Sequence, residues 1–328
     1  MQLTLSQIQA VTHGTVRIEE TDGIFTFHRF RRWQKDAYLA AGETEFYHRC
    51  DNTAGVRMAF RTNSTRLSFD YRFGTHARDL GFFDIYENGI MIAHVGEKPI
   101  TKSLLHADIT LAEGESNVEV YFPWSTSVEL SHLEIDDCAT LRPIQRALFA
   151  IHFGDSITQG VEAVYPSLSY ASGLGRMLNL DAVNKAISGD TFCPDILLTQ
   201  PEALSPDLIT VAYGTNDWSH GATHQTLRDT CRRFCLRLRV LYPTAKIFVI
   251  SPIWRLDSQK PTVYNAPAWT VHEAIAEAVE GVDNLILIRG WDLVPHLPEF
   301  YADAYLHPND LGFAAYAEHL SREIKKHL

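Results

Sequence analysis

Between about Thr15 and Ile135, apolar residues recur at every second position or in short runs broken by turn residues, over 24–30, 56–60, 66–73, 82–86, 90–95 and 117–122. A period of two puts alternate side chains on one face of a strand, so each segment reads as a half-buried β-strand. The segments IFTFHRF and TRLSFDYRF carry bulky groups at alternate positions, and Glu87-Asn88-Gly89 and Glu113-Gly114-Glu115 carry the residues that hairpin turns need. No amphipathic helix stands out in this stretch. The expectation for residues 1–140 is an all-β sandwich.

After a polar stretch from Asp136 to Arg146 the pattern changes. Continuous apolar runs, LFAIHF (148–153), DAVNKA (181–186), DLITVAY (207–213), AKIFVIS (245–251) and LILIRG (285–290), alternate with helical segments. The longest of these cover 224–241, 268–280 and 310–327, the last opening on the capping residues Asn309 and Asp310. Runs buried on both faces and separated by helices predict a parallel sheet between two helical layers, here with five strands over residues 147–328. In such sheets ligands bind beyond the carboxyl ends of the strands, so chemistry is sought just after each strand.

Composition narrows the class. With 328 residues, 45% hydrophobic and 21% charged, the chain can bury two cores and is not of disordered type. A net charge of −11 without any long Lys/Arg cluster argues against nucleic-acid binding. Arg29, Arg31 and Arg32 read as the solvated basic face of a strand rather than an anion site. The start MQLTLSQIQAVTHG lacks the pattern of a secretory signal, and no run is long enough to span a bilayer, so a cytoplasmic location and no membrane partner are expected. The five cysteines, Cys50, Cys138, Cys193, Cys231 and Cys235, are scattered without a CxxC pair, so neither a disulfide framework nor a metal site is expected. Cys231 and Cys235, four apart on a helix, read as packing residues.

The first α/β strand is followed by Gly154-Asp155-Ser156-Ile157-Thr158, which places Ser156 on a strand-to-helix turn. A serine there is either a helix cap or a nucleophile, and the second role needs a base and oxyanion donors. The second strand is followed by Ile187-Ser188-Gly189-Asp190 and the third by Gly214-Thr215-Asn216-Asp217. Together these offer a hydroxyl, an amide N–H free to approach closely and a carboxamide around one crevice. Before the final helix, Asp303-Ala304-Tyr305-Leu306-His307-Pro308 places a histidine in a loop with a carboxylate four residues upstream. That is the pairing a catalytic base requires. A GxSxG elbow is absent around Ser156, since position 158 is threonine.

These four segments together resemble the four sequence blocks of the SGNH/GDSL hydrolase family. The resemblance covers about residues 147–328 and implies a flavodoxin-like three-layer fold, with a preceding jelly-roll-like sandwich such as some members carry. It implies Ser156 as nucleophile, His307 as base and an oxyanion hole of the Ser156 N–H, the Gly189 N–H and the Asn216 carboxamide, with no metal or organic cofactor. The fourth block departs from the family pattern, which has aspartate three residues before the histidine. Here that position is Ala304 and Asp303 is four before. Either a one-residue bulge lets Asp303 complete a triad, or the enzyme works as a Ser156–His307 dyad.

The implied activity is serine-dependent hydrolysis of carboxylic esters, with a small-molecule or carbohydrate ester as substrate, such as a short acyl group on a sugar or other polyol. The competing reading is a carbohydrate-binding protein whose hydrolase domain is impaired. Tyr121-Phe122-Pro123-Trp124 reads as core rather than as a wall of the site. Oligomeric state is not legible in the sequence.

Overall fold

Two antiparallel sheets occupy residues 12–143 in the computed structural model, which describes the whole chain, residues 1–328. One contains, in spatial order, Thr12–His13, Arg57–Thr62, Ser116–Tyr121, Gly81–Glu87 and Ile90–Glu97, with Arg142–Pro143 added alongside Arg57–Thr62. The other runs Arg17–Thr21, Ile24–His28, Thr126–Ile135, Arg66–His76 and Leu105–Thr110. Their inward side chains, among them Phe25, Phe27, Phe60, Phe69, Phe83 and Val118, form one buried core. The alternation in the sequence is the imprint of this one-sided burial.

Asn88 and Gly89 take positive φ of 50° and 82° and close the hairpin between Gly81–Glu87 and Ile90–Glu97, as their residue types require. The Glu113-Gly114-Glu115 turn does something else. It joins Leu105–Thr110 of one sheet to Ser116–Tyr121 of the other, so it is a crossing between sheets and not a hairpin. Turn chemistry specifies a reversal of the chain but not which sheet receives it.

The parallel sheet follows at Leu148–Gly154, Leu180–Asn184, Leu208–Ala212, Lys246–Ile250 and Leu285–Ile288, in the spatial order second, first, third, fourth, fifth. Successive residues of each strand enter opposite cores. Ile151, Phe153, Ile209, Val211, Ile247 and Val249 meet the helices His224–Leu241 and Val271–Val279, whereas Ala150, Leu208, Phe248 and Ile250 meet Tyr170–Leu178 and Asp310–Lys325. Both faces being covered explains the unbroken apolar runs. Cys231 and Cys235 are fully buried in the first of these layers. No helix is long and apolar enough to cross a membrane.

The first 140 residues also hold helices that periodicity did not reveal: Leu5–Val11, Arg32–Ala40 and Thr44–Arg49. The last two lie between strands Ile24–His28 and Arg57–Thr62, and Phe30, Tyr38 and Cys50 pack into the α/β core beside Ile187, Phe192 and Leu197. Each is under three turns, too short for a 3.6-residue period to declare itself.

The expected basic strand face is corrected here. The strand ends at His28, Arg32 opens a helix, and Arg29 is wholly buried. Its guanidinium donates to four main-chain carbonyls, those of Asn52 and Asn184, of Ala186 at 3.2 Å and of Arg49 at 3.4 Å. Burial lowers its pKa to about 10, still far above neutrality. Sandwich-side and α/β-side backbone are thus bound to one buried cation. Trp124 adds a second fastening, its indole N–H donating to Ala163 at 2.7 Å.

Arg29→Leu would remove a donor from all four carbonyls, although that of Arg49 keeps the Asn52 N–H at 3.2 Å. At about 1–3 kcal/mol for a buried unpaired group, we expect a loss of at least ~3 kcal/mol in stability. Urea denaturation measures it, and an unchanged midpoint would contradict this account of the junction.

Candidate active site

The turn after Leu148–Gly154 divides two tasks between neighbouring residues. Asp155 is the N-cap of the short helix Ser156–Gln159, its carboxylate accepting the Ile157 N–H at 3.0 Å. Capping is therefore not the role of Ser156, and its hydroxyl is left available. Gly154 must be glycine, because a Cβ there would lie 2.1 Å from Thr158 Oγ1.

Ser156 Oγ lies 2.9 Å from His307 Nε2, and His307 Nδ1 lies 2.7 Å from Asp303 Oδ2. The second carboxylate oxygen, Oδ1, accepts the N–H groups of Tyr305 at 3.0 Å, Leu306 at 2.8 Å and His307 at 3.1 Å. Burial would raise the Asp303 pKa, but the hydrogen bonds from the His307 ring and from these main-chain donors outweigh it and hold the carboxyl well below the usual carboxylate range. An ionised carboxylate can only accept, so Nδ1 carries a proton and Nε2 is the ring nitrogen that faces the Ser156 hydroxyl.

The extra residue is absorbed at one position. Ala304 adopts φ of 62°, the left-handed conformation, which tightens the loop so that Asp303 reaches His307 across four residues instead of three. The loop is closed by an Ala302 N–H to His307 carbonyl bond of 2.8 Å and docked by Leu256 N–H on the Tyr305 carbonyl at 2.9 Å.

The other strand ends converge on the same crevice. Gly189 follows the second strand at φ of 92°, and its N–H, like that of Ser156, donates to no protein acceptor. Asn216 lies in the first turn of the helix Thr215–His220 after the third strand, and its Nδ2 donates one hydrogen to the Asp190 carbonyl at 2.9 Å, leaving the second. Three buried carboxyls surround this crevice. Burial pushes Asp155 and Asp217 up to about 7 and Asp190 to about 6.

Residues outside the four blocks also reach the site. Gln159 accepts the Ser188 N–H at 2.7 Å and donates to the Trp124 carbonyl at 3.1 Å, and Arg49 donates to the Ser188 carbonyl at 2.5 Å. A Cβ at Gly189 would stand 3.3 Å from both Arg49 Nη1 and the Phe46 ring. Neither Arg49 nor Phe46 carried a local sequence signal, because they lie in a short helix of the sandwich half. Tyr121, Phe122 and Trp124 are buried, in keeping with their reading as core. No group of three or more His, Cys, Asp or Glu side chains is arranged to hold a metal.

The sequence profile of the GDSL-like lipase/acylhydrolase family matches residues 152–315, half of the chain. Among solved structures, a salicylyl-acyltransferase from a tetracycline biosynthetic pathway is similar at 23% identity and a TM-score of 0.80, with 96% of this chain and 94% of that one covered. A family two carbohydrate esterase from Clostridium thermocellum, in complex with cellohexaose, is similar at 19% identity and a TM-score of 0.62, covering 83% of this chain and 92% of that one. Another, from Cellvibrio japonicus, gives 17% and 0.66 over 98% and 96% of the two chains. At these identities the likeness is one of fold, and it spans both halves. No curated protein matches the chain by sequence.

The left-handed residue yields a direct test. Relief of Cβ strain in Ala304→Gly outweighs the added flexibility of the unfolded chain, so the variant should gain about 0.5–1 kcal/mol in chemical denaturation. A loss of stability would contradict the φ assigned to this loop.

Proposed function

Because the chain belongs to the GDSL-like lipase/acylhydrolase family, we propose that it hydrolyses short-acyl carboxylic esters through an acyl-enzyme on Ser156. The observation that carries this reading is the unbroken polar chain Ser156 Oγ, His307 Nε2, His307 Nδ1 and Asp303 Oδ2, with links of 2.9 and 2.7 Å.

His307 takes the Ser156 proton as Oγ attacks the ester carbonyl. Negative charge then develops on the carbonyl oxygen, where the N–H groups of Ser156 and Gly189 and the free Asn216 hydrogen receive it. Collapse expels the alcohol, which leaves with the proton held on His307 Nε2. Water attacks the acyl-enzyme by the same route in reverse, His307 again acting as base. Asp303 holds the ring and balances the imidazolium in both steps. The extra residue at Ala304 was the one feature favouring an impaired, purely binding protein. With Asp303 Oδ2 at 2.7 Å from the ring, that reading loses its support.

For the substrate, we favour an acetyl or similarly short acyl group on a sugar or other polyol. The Phe46 ring lies 3.3 Å from where a Cβ on Gly189 would stand, and in this reading it limits the room for a long acyl chain. Carbohydrate esterases share the two-part architecture, and one of them is an acetyl xylan esterase from Butyrivibrio proteoclasticus, 15% identical.

Hydrolysis of p-nitrophenyl acetate, butyrate and octanoate, and acetate release from acetylated sugars, test the proposal. Ser156→Ala and His307→Ala should each lower kcat by at least about 10³-fold, and Asp303→Ala by about 10²–10⁴-fold. Acetate should be preferred to octanoate. An Asp303→Ala variant within threefold of wild type would replace the triad by a dyad. Turnover that survives Ser156→Ala would overturn the proposal.

A further inference from the structure

We propose that Arg49, a residue of the sandwich half, is a positioning residue that aims and polarises the Gly189 N–H for the oxyanion. The inference rests on the reading of Ser156 as nucleophile and adds to it a requirement for the other half of the chain.

The argument concerns one peptide unit. The Ser188 carbonyl and the Gly189 N–H belong to the same planar trans amide, so they point in opposite directions, and whatever fixes one fixes the other. The Ser188 carbonyl accepts a charge-assisted hydrogen bond from Arg49 Nη1 at 2.5 Å. The unit cannot rotate about its flanking bonds without breaking it. Rotation is the motion to be feared here, since Gly189 sits at φ of 92° and has no Cβ to restrict it. The Ser188 N–H on the other side is held by Gln159 Oε1 at 2.7 Å, so the approach to the glycine is pinned twice.

A cation on the carbonyl oxygen also withdraws electron density from the amide and makes its N–H a stronger donor. This matters most when negative charge appears on the substrate oxygen, so the effect falls on the transition state and not on ground-state binding.

Arg49 is itself held. Its main-chain carbonyl accepts from Arg29 Nη2 at 3.4 Å, its guanidinium lies 5.7 Å from the Phe46 ring centroid, and an ion pair joins it to Glu45 on the helix surface. Arg29 in turn donates to the carbonyls of Asn184 and Ala186, just upstream of the same peptide. The sandwich half thus reaches the oxyanion loop at three carbonyls, Asn184, Ala186 and Ser188. None of these contacts can be supplied by the α/β half alone.

Steady-state kinetics on p-nitrophenyl acetate, with binding of an aryl trifluoromethyl ketone that forms an oxyanion on the serine, test this. Arg49→Ala should lower kcat about 10- to 100-fold with KM within threefold, less than the loss of a donor outright. It should weaken the ketone by the same factor, and Arg49→Lys should recover part of both. Glu45→Ala, which removes only the outer partner, should stay within twofold. Circular dichroism and the unfolding midpoint establish that each variant is folded.

An Arg49→Ala kcat within twofold of wild type, or a loss confined to KM, would overturn the inference while Ser156-dependent turnover stands. Equal losses in Glu45→Ala would also overturn it. Turnover that persists in Ser156→Ala would remove the nucleophile reading, and this inference with it.

Discussion

A guanidinium shut away from water must give its N–H groups to something, and Arg29 gives them to main-chain oxygens on both sides of the junction between the two halves. No carboxylate pairs directly with it, Asp51 acting only through space, so its hydrogen bonds all go to oriented peptide carbonyls. That makes the arrangement exacting. The carbonyls of Arg49 and Asn52 on one side and of Asn184 and Ala186 on the other have to face a common point, and the helix Thr44–Arg49 is thereby set against the exit of the second parallel strand. Everything between Asn184 and Asp190 inherits its position from that constraint, including the glycine proposed as an oxyanion donor.

Around the proposed nucleophile the same economy of roles recurs. Asp155 caps the helix and frees the Ser156 hydroxyl. Asp303 divides its oxygens, one for the His307 ring and one for three main-chain N–H groups. Asn216 uses one amide hydrogen to fix itself on the Asp190 carbonyl and keeps the other. His307, oriented by the ionised Asp303, and Asn216, held on a backbone carbonyl, are thus each fixed by a second bond. A preorganised site of this kind needs little rearrangement as charge develops.

The α/β half was legible because its signals are local and repeated. Two-sided burial gives unbroken apolar strands, and Ser156, Gly189, Asn216 and His307 each follow or precede an element whose ends the pattern marks. Asp303 was harder, since whether four residues can replace three depends on a single φ at Ala304, and alanine does not advertise a left-handed conformation. The sandwich was legible in class but not in its connections. The Gly114 turn crosses between sheets, and the helices at 32–40 and 44–49 are too short to show a period. Arg29 was misread because its partners are carbonyl oxygens, two of them 155 and 157 residues away, and main-chain acceptors leave no mark in a sequence.

The central claim is that one crevice, walled by both halves, holds a nucleophilic serine facing an oxyanion site. A fluorophosphonate probe reports on it directly, because the phosphoryl oxygen of the adduct occupies the oxyanion position. Mass mapping of the labelled protein followed by its crystal structure should find a single adduct on Ser156. Its phosphoryl oxygen should lie within about 3 Å of the Ser156 N–H, the Gly189 N–H and Asn216 Nδ2. An adduct on another residue, or one on Ser156 whose oxygen faces solvent with those donors unused, would contradict the account.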